Sequence, residues 1–106
     1  MNRKAWTPVG GSPTILDFTK CKYDDDFHQI LRKAFGFPAY YGENSSAFWD
    51  LLQGFFADRR QEKYWEVRVI GWKKMTERLG DDFADYRAVI RRIEEYYPYV
   101  HFVWES

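Results

Sequence analysis

Cysteine is nearly absent from this sequence, since Cys21 is the only one in 106 residues. A lone cysteine forms no intramolecular disulfide, which excludes the cross-linked framework of many small secreted domains. No run approaches the roughly 18 apolar residues of a membrane span, and residues 1–13 lack the apolar core of a secretory signal. We therefore expect a cytoplasmic protein without a membrane-spanning segment.

A net charge is also missing, because 16 basic and 16 acidic side chains cancel. Proteins that bind nucleic acids directly use a strong positive field to release counterions from phosphates, so this class is not predicted. The charges are nevertheless uneven, since residues 21–58 hold three basic and six acidic side chains. Such a stretch suits a basic partner, although Asp24, Asp25 and Asp26 also suit the start of a helix.

Patterns of catalytic or metal-binding residues are absent as well. His28 and His101 have no neighbouring residues at Cys/His or Ser/His/Asp spacing. His28 is predicted on the polar side of a helix, His101 in a strand, and Cys21 as a small residue at a strand edge. We expect neither enzymatic activity nor a bound metal or other cofactor.

The chain contains enough apolar residues to fold alone, with 45% hydrophobic and 21% aromatic side chains. Its length suits one hydrophobic core. Proline, glycine and serine cluster before residue 14, so we expect an irregular arm at residues 1–13 and a single domain at residues 14–106. The many aromatic residues would suffice for a base-stacking surface, but most fall at core-facing positions.

Hydrophobic periodicity predicts three strands, at residues 14–19, 65–70 and 99–104. It also predicts four helices: one through Phe27–Phe35 capped by Gly36, one from Asn44 or Ser45 to about Phe56, one at residues 71–79 closed by Gly80, and one begun by Asp81 or Asp82 and ended by Pro98. Because helices separate successive strands, parallel pairing through right-handed crossovers is expected. The predicted fold is α/β, a small three-stranded parallel sheet packed with about four helices.

Two neighbouring segments carry the most specific pattern, Tyr40-Tyr41-Gly42-Glu43-Asn44 and Phe48-Trp49-Asp50-Leu51-Leu52. Together they resemble the barstar family of ribonuclease inhibitors, in which such a loop leads into a helix with an apolar-Trp-Asp run. The order of strands and helices agrees with that family over roughly residues 14–104. The resemblance implies a barstar-like fold and a protein that binds and blocks a ribonuclease.

The spacing within the second segment indicates a binding surface without reference to the family. Two stripes of side chains form on a helix, a polar one with Ser46, Trp49, Asp50 and Gln53 and an apolar one with Phe48, Leu51, Leu52 and Phe55. The stripes differ by two residues, about 200° around the helix axis, so one faces outward when the other packs inward. The outward stripe presents an indole beside a carboxylate, a combination typical of protein interfaces.

The candidate partner-binding residues are Tyr40, Tyr41, Gly42, Asn44, Ser46, Trp49, Asp50 and Gln53. The resemblance assigns to Asp50 the acidic side chain that takes the place of a substrate phosphate. Simpler explanations stay open: Trp49 at the edge of a wide core stripe, Tyr41 packed under the loop, and Gly42 required by positive φ or by close approach. Glu43 is expected as a local hydrogen-bond acceptor, and Asn44 as a helix cap that also touches the partner.

We expect an immunity or inhibitor protein, a monomer that forms a 1:1 heterodimer with a cognate toxin enzyme of the ribonuclease class. Members of the family can carry a second acidic residue where this chain has Ser46. They can carry another acidic residue in the late helix, where this chain has Arg92. The partner's charge pattern is therefore expected to differ. Whether Arg91 and Arg92 are solvated or form a second contact surface is left open. The alternative function is a housekeeping protein-interaction module with the same fold and no toxin.

Overall fold

The computed structural model describes residues 12–39, 41–80 and 83–105. The elements are β1 (Thr14–Asp17), α1 (Asp24–Phe35), α2 (Ser45–Ala57), β2 (Trp65–Ile70), α3 (Trp72–Leu79), α4 (Ala84–Tyr96) and β3 (Val100–Glu105). The strands form one parallel sheet in the order β1-β2-β3. The predicted α/β fold, a three-stranded parallel sheet with four helices, is confirmed for the part of the chain that the structure describes.

The elements differ from the prediction only near their ends. β1 stops at Asp17, because its carboxylate accepts hydrogen bonds from the Thr19 backbone N–H at 3.0 Å and hydroxyl at 2.7 Å and so turns the chain. Asp81 and Asp82, the predicted caps of α4, lie outside the described residues, as does most of the predicted arm. No helix in the described ranges is long and apolar enough to cross a membrane.

The helices pack against one face of the sheet. Val67 and Phe102 are cross-strand neighbours and are buried, whereas the next pair, Arg68 and Val103, is exposed. Sequential strands joined by right-handed crossovers place every connecting helix on the same side. For this reason β3 alternates between buried and exposed side chains, and Val103 faces outward although it is apolar.

Aromatic rings build the core between the sheet and the helices. The Phe27 ring of α1 lies 5.1 Å from Phe18, 4.6 Å from Phe83 and 5.0 Å from Tyr86, measured between centroids. The Phe27–Tyr86 pair meets at 84°, the edge-to-face geometry that aromatic quadrupoles favour. Most aromatic side chains in the described ranges are buried and therefore serve packing.

Two helix caps fix the loop at residues 37–44 between α1 and α2. α1 ends at Phe35 and is capped, as predicted, by Gly36, whose φ of 65° is left-handed. α2 begins after Asn44, whose Oδ1 accepts the backbone N–H of Ala47 at 2.8 Å. The prediction that His28 lies on the polar side of α1 is wrong, because its side chain is buried beneath this loop.

Candidate functional site

The loop at residues 37–44 carries the first half of the motif. Its Tyr40 lies outside the described residues. Tyr41 packs beneath the loop with 3% of its surface exposed, its ring 5.2 Å from that of Phe37 and its hydroxyl 3.0 Å from Nδ1 of His28. Burial raises the pKa of Tyr41, so its hydroxyl stays protonated. Tyr41 therefore packs under the loop and supports it from below, which was the simpler of the two explanations for this residue.

Glu43 and Gly42 shape the backbone of the same loop. Glu43 adopts a left-handed φ of 55°, which residues with a Cβ seldom take, and its carboxylate lies 2.6 Å from the guanidinium of Arg32. Gly42 has no positive φ. A Cβ at Gly42 would lie 3.1 Å from Nδ2 of Asn44, which donates a hydrogen bond to the Gly42 carbonyl oxygen. Close approach therefore explains Gly42, and the ion pair with Arg32 stabilises the unusual conformation of Glu43.

The two faces of α2 follow the pattern in the sequence. Phe48, Leu52 and Phe55 are buried against the core, while Ser46 and Asp50 are exposed on the opposite side. An apolar face that packs inward fixes the rotation of the helix about its axis. Asp50 is therefore held toward solvent by the packing of the opposite face of α2.

Trp49 is less exposed than its place in the outward stripe suggests. Its ring packs at the edge of the core, with Tyr96 edge-on at 5.4 Å and 80° and the Arg92 guanidinium 4.1 Å from the ring centroid. These two α4 side chains cover part of the indole. The ring is consequently held in place before any partner arrives, and only part of its surface is available for contact.

A shallow groove of about 270 Å³ separates α2 from α4 beside this indole. Its lining residues are Ser45, Ser46, Trp49, Asp50, Val89 and Arg92. The sequence pattern did not place Val89 in the site, because it read this residue as core-facing, and it left open whether Arg92 forms a contact surface. The available signal was that Val89 and Arg92 are three residues apart, because residues at this spacing lie next to each other on one side of a helix.

The acidic stretch at residues 21–58 is partly engaged in local contacts. Asp26 accepts hydrogen bonds from the backbone N–H groups of Lys22 and Tyr23, and these bonds lower the pKa of Asp26. Glu43 pairs with Arg32, as described. Asp50 is exposed, and no ion pair joins it to another residue in the described part of the chain.

These groups are suited to binding. Asp50 offers hydrogen-bond acceptors, Ser46 a hydroxyl and Gln53 an amide, around an indole that is already packed. Within the described ranges, no group of three or more His, Cys, Asp or Glu side chains could hold a metal ion. The surface resembles an interface centre, with one aromatic side chain among a few polar groups.

A family model matches most of the chain. A family model described as Barstar (barnase inhibitor) matches residues 13–103. The matched range contains the loop, α2 and α4, and thus every described residue of the groove. Members of that family are inhibitors that bind a ribonuclease. Since the match extends over most of the chain, this protein belongs to the barstar family.

Proposed function

We propose that this protein is an immunity protein that binds a cognate toxin of the ribonuclease class and blocks its active site. The complex is 1:1, and it forms in the cytoplasm of the cell that the protein protects. The observation that carries the proposal is Asp50, an exposed carboxylate on a helix face beside a packed indole, in a chain of the barstar family.

Asp50 acts by taking the place of a substrate phosphate. A ribonuclease groove is lined with cations that hold phosphates, and a carboxylate accepts charge-assisted hydrogen bonds from the same groups. The exposed position of Asp50 lets it reach into such a groove, and the buried face of α2 keeps it from turning away. Loss of a charge of this kind typically weakens binding by about 2 kcal/mol, or about 30-fold.

Contacts within the fold hold α2 and the described residues of the loop before binding, which reduces the entropy lost in the complex. Three contacts provide this order: Tyr41 with His28, Glu43 with Arg32, and Asn44 with the first turn of α2. The third of these contacts leaves the exposed Asn44 able to touch the partner as well.

The remaining candidate residues take peripheral or supporting roles. Tyr40 and Gly42 belong to the contacting loop, Ser46 and Gln53 to the rim around Trp49, and Tyr41 supports the loop from below. The acidic stretch accelerates association with a basic toxin, so the association rate falls as salt is added. An association rate indifferent to ionic strength would contradict this electrostatic part.

Rescue of growth tests the proposal. The candidate toxin encoded beside this gene is co-expressed with wild type, Asp50→Ala, Trp49→Ala and the control Glu77→Ala, which removes an exposed carboxylate from α3. Growth and RNA integrity are followed, with folding of each variant checked by circular dichroism. We expect protection by wild type and Glu77→Ala and weakened protection by the other two.

Two outcomes would contradict parts of the proposal. Full protection by Asp50→Ala and Trp49→Ala would move the interface to another surface. Absence of protection by wild type would favour the alternative, a housekeeping interaction module with this fold and no toxin partner.

A further inference from the structure

We infer that Arg92 determines partner specificity, by pairing with a carboxylate that the toxin presents opposite the groove between α2 and α4. The inference rests on the proposed function and adds the charge pattern of the partner. In this arrangement Asp50 binds a cation of the toxin, and Arg92 binds an anionic side chain next to it.

The first observation is the position of Arg92. Val89, Arg92 and Tyr96 follow at three and four residues on α4, so they share the side that faces α2. The Arg92 guanidinium lies 4.1 Å from the Trp49 ring centroid, yet the residue is exposed. The contact with the ring fixes the cation beside Trp49, which is itself part of the proposed interface.

The second observation is that the charge of Arg92 has no acidic partner among the residues that the structure describes. Two other arginines do form ion pairs within the fold, Arg32 with Glu43 and Arg68 with both Glu66 and Glu105. Among the described residues, no carboxylate forms an ion pair with Arg92, although Asp50 lines the same groove. A ring contact leaves the five N–H donors of a guanidinium available.

The groove therefore presents both signs of charge in a small space, about 270 Å³. A toxin that covers it removes water from Asp50 and Arg92 together, and a charge buried without a partner is strongly unfavourable. A toxin with cations alone satisfies Asp50 and leaves Arg92 facing like charge. Arg92 thereby rejects such toxins and favours one with a neighbouring carboxylate.

A carboxylate of a protein suits Arg92 better than a phosphate of RNA. Asp50 lies in the same groove and repels a chain of phosphates, whereas a protein surface can alternate its charges over this distance. The planar guanidinium also matches a carboxylate with two parallel hydrogen bonds. The expected contact is therefore an aspartate or glutamate at the rim of the toxin's active site.

Reversing two adjacent arginines tests the inference. Arg92→Glu and Arg91→Glu change the net charge equally, but Arg91 lines a separate depression with Ala84, Arg87 and Ala88. Affinity is measured by biolayer interferometry against inactive forms of the ribonuclease-like toxins encoded in the same genome. For the toxin that wild type binds, we expect Arg92→Glu to weaken binding by about 100-fold and Arg91→Glu by less than about 3-fold.

A second variant separates charge from packing, because Arg92 also covers Trp49. Arg92→Met keeps an apolar stem on the ring without the charge, and we expect about 10-fold weaker binding with unchanged thermal stability. Replacing the toxin's acidic residue opposite Arg92 by lysine should restore the affinity of the toxin for the Arg92→Glu variant. The same replacement should restore affinity for no other variant.

Each other outcome overturns the inference. If Arg92→Glu and Arg91→Glu weaken binding equally, long-range electrostatic attraction explains the effect and a specific contact of Arg92 does not. If Arg92→Glu binds with wild-type affinity, Arg92 is not part of the interface. Binding of single-stranded RNA by wild type that Arg92→Glu abolishes would identify phosphate as the ligand. If wild type binds none of the toxins, the proposed function fails first, and this inference fails with it.

Discussion

Replacement of Tyr41 by phenylalanine tests how the binding loop is held. The change removes only the hydroxyl, which lies 3.0 Å from Nδ1 of His28 beneath the loop. The ring contacts to Phe37 and His28 stay possible, since phenylalanine keeps the same aromatic plane. Any effect therefore reports the polar contacts of the hydroxyl, with His28 and with the neighbouring Tyr86, and not the loss of a ring.

The expected cost follows from burial on both sides of this contact. Tyr41 is 3% exposed and His28 is 8% exposed, so water reaches the orphaned imidazole nitrogen poorly. A buried polar group left without its partner costs roughly 1–3 kcal/mol, and we expect a loss of about 2 kcal/mol in the free energy of unfolding. For a domain of this size, that loss lowers Tm by about 8 °C.

Urea unfolding followed by tryptophan fluorescence measures this loss, with Tyr96→Phe as the control. Tyr96 is 59% exposed, so removal of its hydroxyl should change the free energy of unfolding by less than about 0.5 kcal/mol. A Tyr41→Phe variant as stable as the control would refute the argument that this contact holds the loop against α1.

Three further predictions concern the same fold. Burial lowers the pKa of His28 below its ordinary value of 6.5, so the unfolded chain takes up the proton at a higher pH than the folded chain does. The free energy of unfolding should therefore be highest above pH 6.5 and fall as the pH drops below that value. Urea unfolding at several pH values should show a smaller decline for His28→Gln. Burial, followed by the nearby Asp26 charge, raises the pKa of Cys21 to about 11, so iodoacetamide should label it on the order of 100-fold more slowly in buffer than in urea. Asn44→Ala should cost about 1 kcal/mol of stability through the lost cap, whereas Asn44→Ser should keep the cap; a loss of toxin affinity in both variants would show that the amide itself touches the partner.

The sequence alone predicted most of the architecture, because its signals are local. Gly36 and Asn44 mark the ends of α1 and α2 through their own backbone and side-chain hydrogen bonding. Phe48, Leu52 and Phe55 fix which side of α2 packs inward, and this also directs Asp50 outward. Such features depend on spacing within one element, and spacing can be read from the chain.

The prediction for His28 failed for a reason that spacing cannot reveal. Its neighbours Phe27, Leu31 and Phe35 already supply an apolar stripe, so a histidine beside them fits the polar side equally well. The loop carrying Tyr41 folds back over that flank of α1 and buries the imidazole. The left-handed Glu43 of the loop escaped prediction similarly, because its conformation accompanies the ion pair with Arg32 of α1.

The sequence by itself thus determined the elements, the caps at Gly36 and Asn44 and the two faces of α2, since each follows from residues a few positions apart. Tertiary structure decided which side chains from different elements meet. It placed Arg92 of α4 over Trp49 of α2 and Tyr41 beneath its own loop. The physical reason is that such contacts depend on how the helices pack against a shared core. That packing is determined jointly by residues that are far apart in the chain.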